Sequence, residues 1–116
     1  LVQTDDMAYD EDLANRIREL LGTVRGIEEK RMFGGLAFLL NGHMSVAASH
    51  DSGLLVRVAP DDTEKLLGRA HVGLMVMGGR EMRGWLRVAP DGLKTKRQLQ
   101  TWVDRGVDYA GTLPPK

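Results

Sequence analysis

The chain is predicted to fold as one α+β domain in two layers, an antiparallel sheet with helices packed on it. Three observations carry this. Apolar residues recur at helical spacing near both ends of the chain, short apolar runs broken by glycine or asparagine fill the middle, and Asn41-Gly42 separates two such runs as a hairpin turn pair. With 116 residues, 42% of them hydrophobic and 28% charged, the chain has the size and composition of one self-sufficient core.

Each element follows in order. The acids Asp10, Glu11 and Asp12 suit the positive end of a helix that begins near Asp10. Its stripe is Leu13, Ile17, Leu20, Leu21 and Val24, and Gly22 and Gly26 end it. Strands are then expected over Glu28 to Met32, Leu36 to Leu40, His43 to Ala48 and Leu54 to Val58, with Gly34 and Gly35 as a bulge or turn. Leu36 to Leu40 is apolar enough to lie centrally in the sheet. Asp61 to Leu67 reads as a short helix with Pro60 near its start and Glu64 reaching back to Asp61 as a capping box.

Leu74 to Met77 and Met82 to Val88 are the last two strands, separated by Gly78-Gly79. Thr95 and Gln98 form a capping box before a closing helix that runs to about Tyr109, with the stripe Leu99, Trp102, Val103, Gly106 and Ala110. The order is therefore α-β-β-β-β-α-β-β-α. The sequence Arg-Val-Ala-Pro-Asp occurs at 57–61 and again at 87–91, each time between a strand and a helix, and reads as the same turn chemistry used twice. Residues 1–6 match no element and are read as a lead outside the fold, 7–112 as a single domain and 113–116 as a tail.

Sixteen Lys and Arg balance sixteen Asp and Glu, so no overall field draws the chain to nucleic acid or to an anionic membrane. The absence of cysteine excludes a disulfide scaffold, a thiolate metal site and a cysteine nucleophile, and fits a cytoplasmic protein. No apolar run approaches the roughly 20 residues of a membrane span. His43, His50 and His71 lack metal-ligand spacing, and the adjacent Ser49, His50 and Asp51 cannot aim at one another as a catalytic relay requires. The methionines read as adaptable core filler. No catalytic residue, metal or cofactor is expected.

From Arg31-Met32-Phe33-Gly34-Gly35, through Leu36 to Leu40, Asn41-Gly42 and the returning strand, the sequence resembles the N-terminal domain of the TfoX/Sxy competence-regulator family. Leu54 to Val58, Gly84 to Pro90, and Leu99 with Trp102 continue the resemblance, which covers about residues 10 to 110. It implies a two-layer α+β fold of the secretion-chaperone-like kind, often dimeric, in bacterial proteins linked to transcriptional control of competence genes. The family's regulators carry a second, C-terminal domain for which Pro114-Pro115-Lys116 leaves no room, so a standalone N-terminal-type domain is expected.

Three surfaces follow as candidates. Arg31, Met32, Phe33, Gly34 and Gly35 either shape a sheet bend or line a partner groove. Arg80, Arg83, Arg87, Lys94, Lys96 and Arg97 form a local excess of positive charge able to contact phosphates. Met82, Trp85 and Leu86, with Trp102, offer apolar area for an interface. The reading drawn from these is a non-enzymatic regulatory domain that binds another protein and forms a homodimer through a sheet face or edge. A transcription accessory using the basic patch is the alternative, and a small-molecule or enzymatic pocket between sheet and closing helix is the third.

Overall fold

A computed structural model describes residues 9–32 and 34–115 of the chain. The expected lead at 1–6 and the motif residue Phe33 therefore lie outside the described residues. The first helix, α1 (Glu11–Leu20), starts where the acidic cluster requires: the Asp10 carboxylate accepts the Leu13 amide at 3.0 Å and caps it. Strands β1 (Ile27–Met32), β2 (Gly35–Leu40), β3 (His43–Ser49) and β4 (Leu54–Arg57) follow as an antiparallel meander. Asn41 and Gly42 both have positive φ, 53° and 88°, as the two-residue turn between paired Leu40 and His43 demands.

Each Arg-Val-Ala-Pro-Asp segment runs into a single 3₁₀ turn, over Pro60–Asp62 and Pro90–Leu93. The first leads into α2 (Thr63–Leu67) and the second into α3 (Lys96–Gly111), so the repeated turn chemistry serves two strand-to-helix junctions. Between them lie β5 (Val72–Met77) and β6 (Arg80–Val88). The expected capping box of Asp61 and Glu64 does not form. Proline starts a 3₁₀ turn instead, and the Glu64 carboxylate takes the Arg83 guanidinium of β6 at 3.0 and 3.1 Å. The box at Thr95 and Gln98 does form, with reciprocal bonds of 3.1 and 2.9 Å.

The six strands make one antiparallel sheet in the order β1-β2-β3-β4-β6-β5. The longer connection through α2 lets β6 pair with β4, which pushes β5 to the edge. All three helices cover one face. There Leu13 and Ile17 of α1, Leu66 of α2 and Leu99, Trp102 and Val103 of α3 pack on Phe38, Val46, Val56, Leu86 and Val88. The alternate residues of the same strands face the other way. Ala37, Leu39, Met44, Ala47, Leu55 and Met75 form a second, smaller cluster on that open face, with Met32, Met82 and Trp85 packed against it.

Two irregularities shape the sheet. Between β2 and β3 the register skips Ser45, whose hydroxyl donates to the Phe38 carbonyl at 2.8 Å and satisfies the acceptor beside the bulge. Between β5 and β6 the pairing passes from Leu74–Leu86 to Met75–Met82, leaving Arg83, Gly84 and Trp85 unpaired on the β5 side. Gly84, at φ 92°, donates its amide to the buried Thr63 hydroxyl at 2.9 Å and accepts the Val58 amide at 2.9 Å. The bulge is thus pinned to α2 and to the end of β4.

Candidate interaction surface

The open face is built from strand alternation. On β1, Glu28, Lys30 and Met32 share one side, opposite Ile27, which packs with the helix-side core. Across the sheet, Glu28 aligns with Leu39 and then Met44, while Lys30 aligns with Ala37, Ala47, Leu55 and Arg87. On this face lies a cleft of about 720 Å³ lined by Met32, Leu39, Met44, Arg57 and Trp85, with Glu28, Glu29 and Lys30 along one side.

Arg57 is half-buried at the end of β4, its guanidinium carbon 5.0 Å from the Trp85 ring centre and 5.6 Å from that of Tyr109 on α3. Among the described residues it makes no ion pair, and neither does Lys30. Three arginines of the sheet and helices are matched to acids. Arg18 bridges Glu29 with two bonds of 2.7 Å, Arg83 pairs with Glu64, and Arg87 pairs with Asp51. The Arg18 guanidinium holds the Glu29 carboxyl below its ordinary range, outweighing the opposing effect of burial. At Asp51 burial raises the carboxyl, but the Gly53 amide, the Ser49 side chain and the Arg87 and His50 charges together bring it below its usual value.

The two sheet edges differ in kind. β1 carries Glu28, Glu29, Lys30 and Arg31 among its six residues, which is how an edge strand is guarded against pairing. β5, Val72–Met77, has no charged residue and pairs only with β6. Val76 on it is 58% exposed, the one large hydrophobic side chain so exposed among the described residues.

The expected site residues divide among these features. Arg31 lies on the helix side of β1, 5.7 Å from the Tyr9 ring, while Met32 turns to the open face. Gly34 takes φ 72° in the turn, and Gly35 opens β2 so close to β3 that a side-chain carbon there would stand 2.1 Å from the Ala48 carbonyl oxygen. Of the interface candidates, Met82 and Trp85 belong to the open face. Leu86 and Trp102 do not serve there: they are 0% and 7% exposed inside the helix-side core, because alternation turns Leu86 inward and the α3 stripe carries Trp102 onto the sheet.

The basic residues are spread out, and three of the six are matched to acids. Arg83, Arg87 and Lys94 face Glu64 with Asp61, Asp51 and Asp91 respectively. Arg80 stands at the β5–β6 turn, and Lys96 and Arg97 open α3. Between sheet and closing helix, where the third reading placed a pocket, there is a hollow of about 290 Å³ lined by Val58, Leu66, Arg105 and Tyr109 among others.

Among the described residues no group of three His, Cys, Asp or Glu is placed to hold a metal ion, and no helix is long and apolar enough to cross a membrane. Sequence reasoning missed the open-face cluster, Arg57 and Lys30. The available signal was the unbroken apolarity of β2, which marks a strand buried on both faces rather than one.

Comparison with known proteins gives a family and no individual relative. No curated protein and no solved structure matches the chain significantly. A family model, the TfoX N-terminal domain, matches residues 19–110, which span the end of α1, the whole sheet and nearly all of α3. With the antiparallel sheet and three helices in the expected order, the chain belongs to the TfoX N-terminal domain family, a family of regulatory domains.

Proposed function

We propose that this is a non-enzymatic regulatory domain that acts by binding another protein in the cytoplasm, and that it forms a homodimer through the edge of β5. The contrast between the two sheet edges carries the reading. A guarded β1 and an uncharged, apolar β5 are what a domain needs if it is to pair at one edge only. Two copies related by a two-fold axis would extend the sheet across β5 and cover Val76. Family membership supports gene control of the competence type as the process served.

The test is sedimentation or light scattering across a concentration series, with Val76→Lys as the variant. Val76 is exposed, so the lysine leaves the core untouched. The wild type is expected to dimerise and the variant to remain monomeric. A wild type that is monomeric at every accessible concentration rejects the homodimer. Recovery of the same protein partner by tagged wild type and Val76→Lys alike moves partner binding off this edge.

A further inference from the structure

We propose that the open-face cleft binds an organic anion carrying an apolar chain, with Arg57 as the anchor of its charged group. The site is separate from the β5 edge, and its success or failure is independent of dimerisation.

Shape comes first. About 720 Å³ lies within the size range of small-molecule sites, and its apolar lining is Leu39, Met44, Met32 and Trp85. Methionine is unbranched and adapts to a flexible chain better than a branched aliphatic wall would.

Charge then selects the ligand. Of the ionised groups on the cleft, Glu29 is taken by Arg18, and Glu28 and Lys30 stand two residues apart on the same side of β1 and offset one another. Arg57 is left as the uncompensated charge. It is half-buried and held over two aromatic rings, so part of its hydration is already lost while no carboxylate replaces it. A guanidinium so placed presents planar donors that match a carboxylate or phosphate with two parallel bonds. The cleft also has a direction. Arg57 lies on β4 and Glu28 on β1, three strand spacings apart or about 14 Å in a flat sheet. The anionic head belongs at Arg57, and the chain runs over Met44 and Leu39 away from it, toward β1.

The experiment titrates ¹⁵N-labelled protein with decanoate, decyl phosphate, decanol and acetate, each below its micelle concentration, and follows the indole N–H signals of Trp85 and Trp102. Saturable shifts at Trp85 with decanoate or decyl phosphate are expected, at least tenfold tighter than with decanol or acetate. Which of the two anions binds better tells a carboxylate from a phosphate ligand. Arg57→Gln is expected to remove the tenfold preference for the anion. Absence of saturable binding, equal affinity for decanol, or shifts at Trp102 instead of Trp85 overturns the proposal, as does an unchanged anion preference in folded Arg57→Gln. If that variant does not fold, the wild-type comparison of decanoate with decanol decides alone.

Discussion

Gly106 of α3 lies against the Ser45 carbonyl so closely that a side-chain carbon at position 106 would stand 2.4 Å from that oxygen and 2.8 Å from Cγ1 of Val46. The bulge at Ser45 carries the β3 backbone toward the helix, and the absence of a side chain at Gly106 lets the helix seat there. In an open helix interior, glycine to alanine gains up to about 1 kcal/mol from helix propensity. Here the sign reverses. Gly106→Ala is expected to lose roughly 1–3 kcal/mol as α3 lifts from the sheet. Urea unfolding reads this as a lower midpoint at unchanged slope.

The paired glycines after Met32 have different tasks, and substitution separates them. Gly34 sits at φ 72°, and a side-chain carbon there would make an ordinary van der Waals contact with His50 Nδ1 at 3.7 Å. Gly34→Ala is expected to cost about 1–2 kcal/mol for the left-handed backbone, and Gly34→Asn less. Gly35→Ala meets the β3 backbone itself and is expected to cost more than either, with loss of the cooperative thermal transition as its extreme. Equal losses at both positions would contradict this assignment.

Thr63 holds the β6 bulge through one buried hydrogen bond to the Gly84 amide. Thr63→Val keeps the shape and removes the acceptor, so roughly 1–3 kcal/mol is expected to be lost for the stranded amide. Trp85 follows Gly84 directly, and its indole N–H signal is expected to shift in this variant while that of Trp102 stays in place. A stability loss with no change at Trp85 would mean that the bulge holds without its anchor.

Acid sensitivity is expected from Asp10 and Glu29. The Leu13 amide holds the Asp10 carboxyl below its usual 3.8, against the effect of burial, and Arg18 holds Glu29 below its usual 4.5. A carboxyl lowered by folding stabilises the folded state above its unfolded-state value, and that contribution is lost as pH falls through the folded one. Stability is therefore expected to be level from neutrality to about pH 4.5 and to fall below it. Asp10→Asn keeps a good N-cap that does not titrate, so its decline in acid is expected to be shallower, whereas Asp10→Ala loses about 1 kcal/mol at neutral pH. Thermal melts at pH 7 and pH 3.5 distinguish the three proteins.

The elements readable in the sequence are those whose cause is local. The Leu13, Ile17, Leu20, Leu21 and Val24 stripe, the Asn41-Gly42 turn and the Thr95–Gln98 box each express themselves within a few residues; the stripe packs on the helix-side core although Leu21 and Val24 lie past the end of α1, and the turn and the box stand where expected. Glu64 shows the limit of such reasoning. Its spacing from Asp61 fits a capping box, yet an arginine from a distant strand offers it a two-bonded partner, and the local pattern gives way. Leu86 shows a related limit: an apolar residue in a strand is buried on some face, and only the sheet decides which.

By itself, the sequence determined the α+β class, the order of nine elements and the family, since periodicity, caps and turns act over short stretches of chain. Tertiary structure alone decided that β6 enters between β4 and β5, leaving an uncharged strand at the edge, and that Arg57 rests between Trp85 and Tyr109 beside an apolar cleft. Strand order and side-chain encounters across the sheet depend on which distant segments meet, and no pattern along the chain encodes that choice locally.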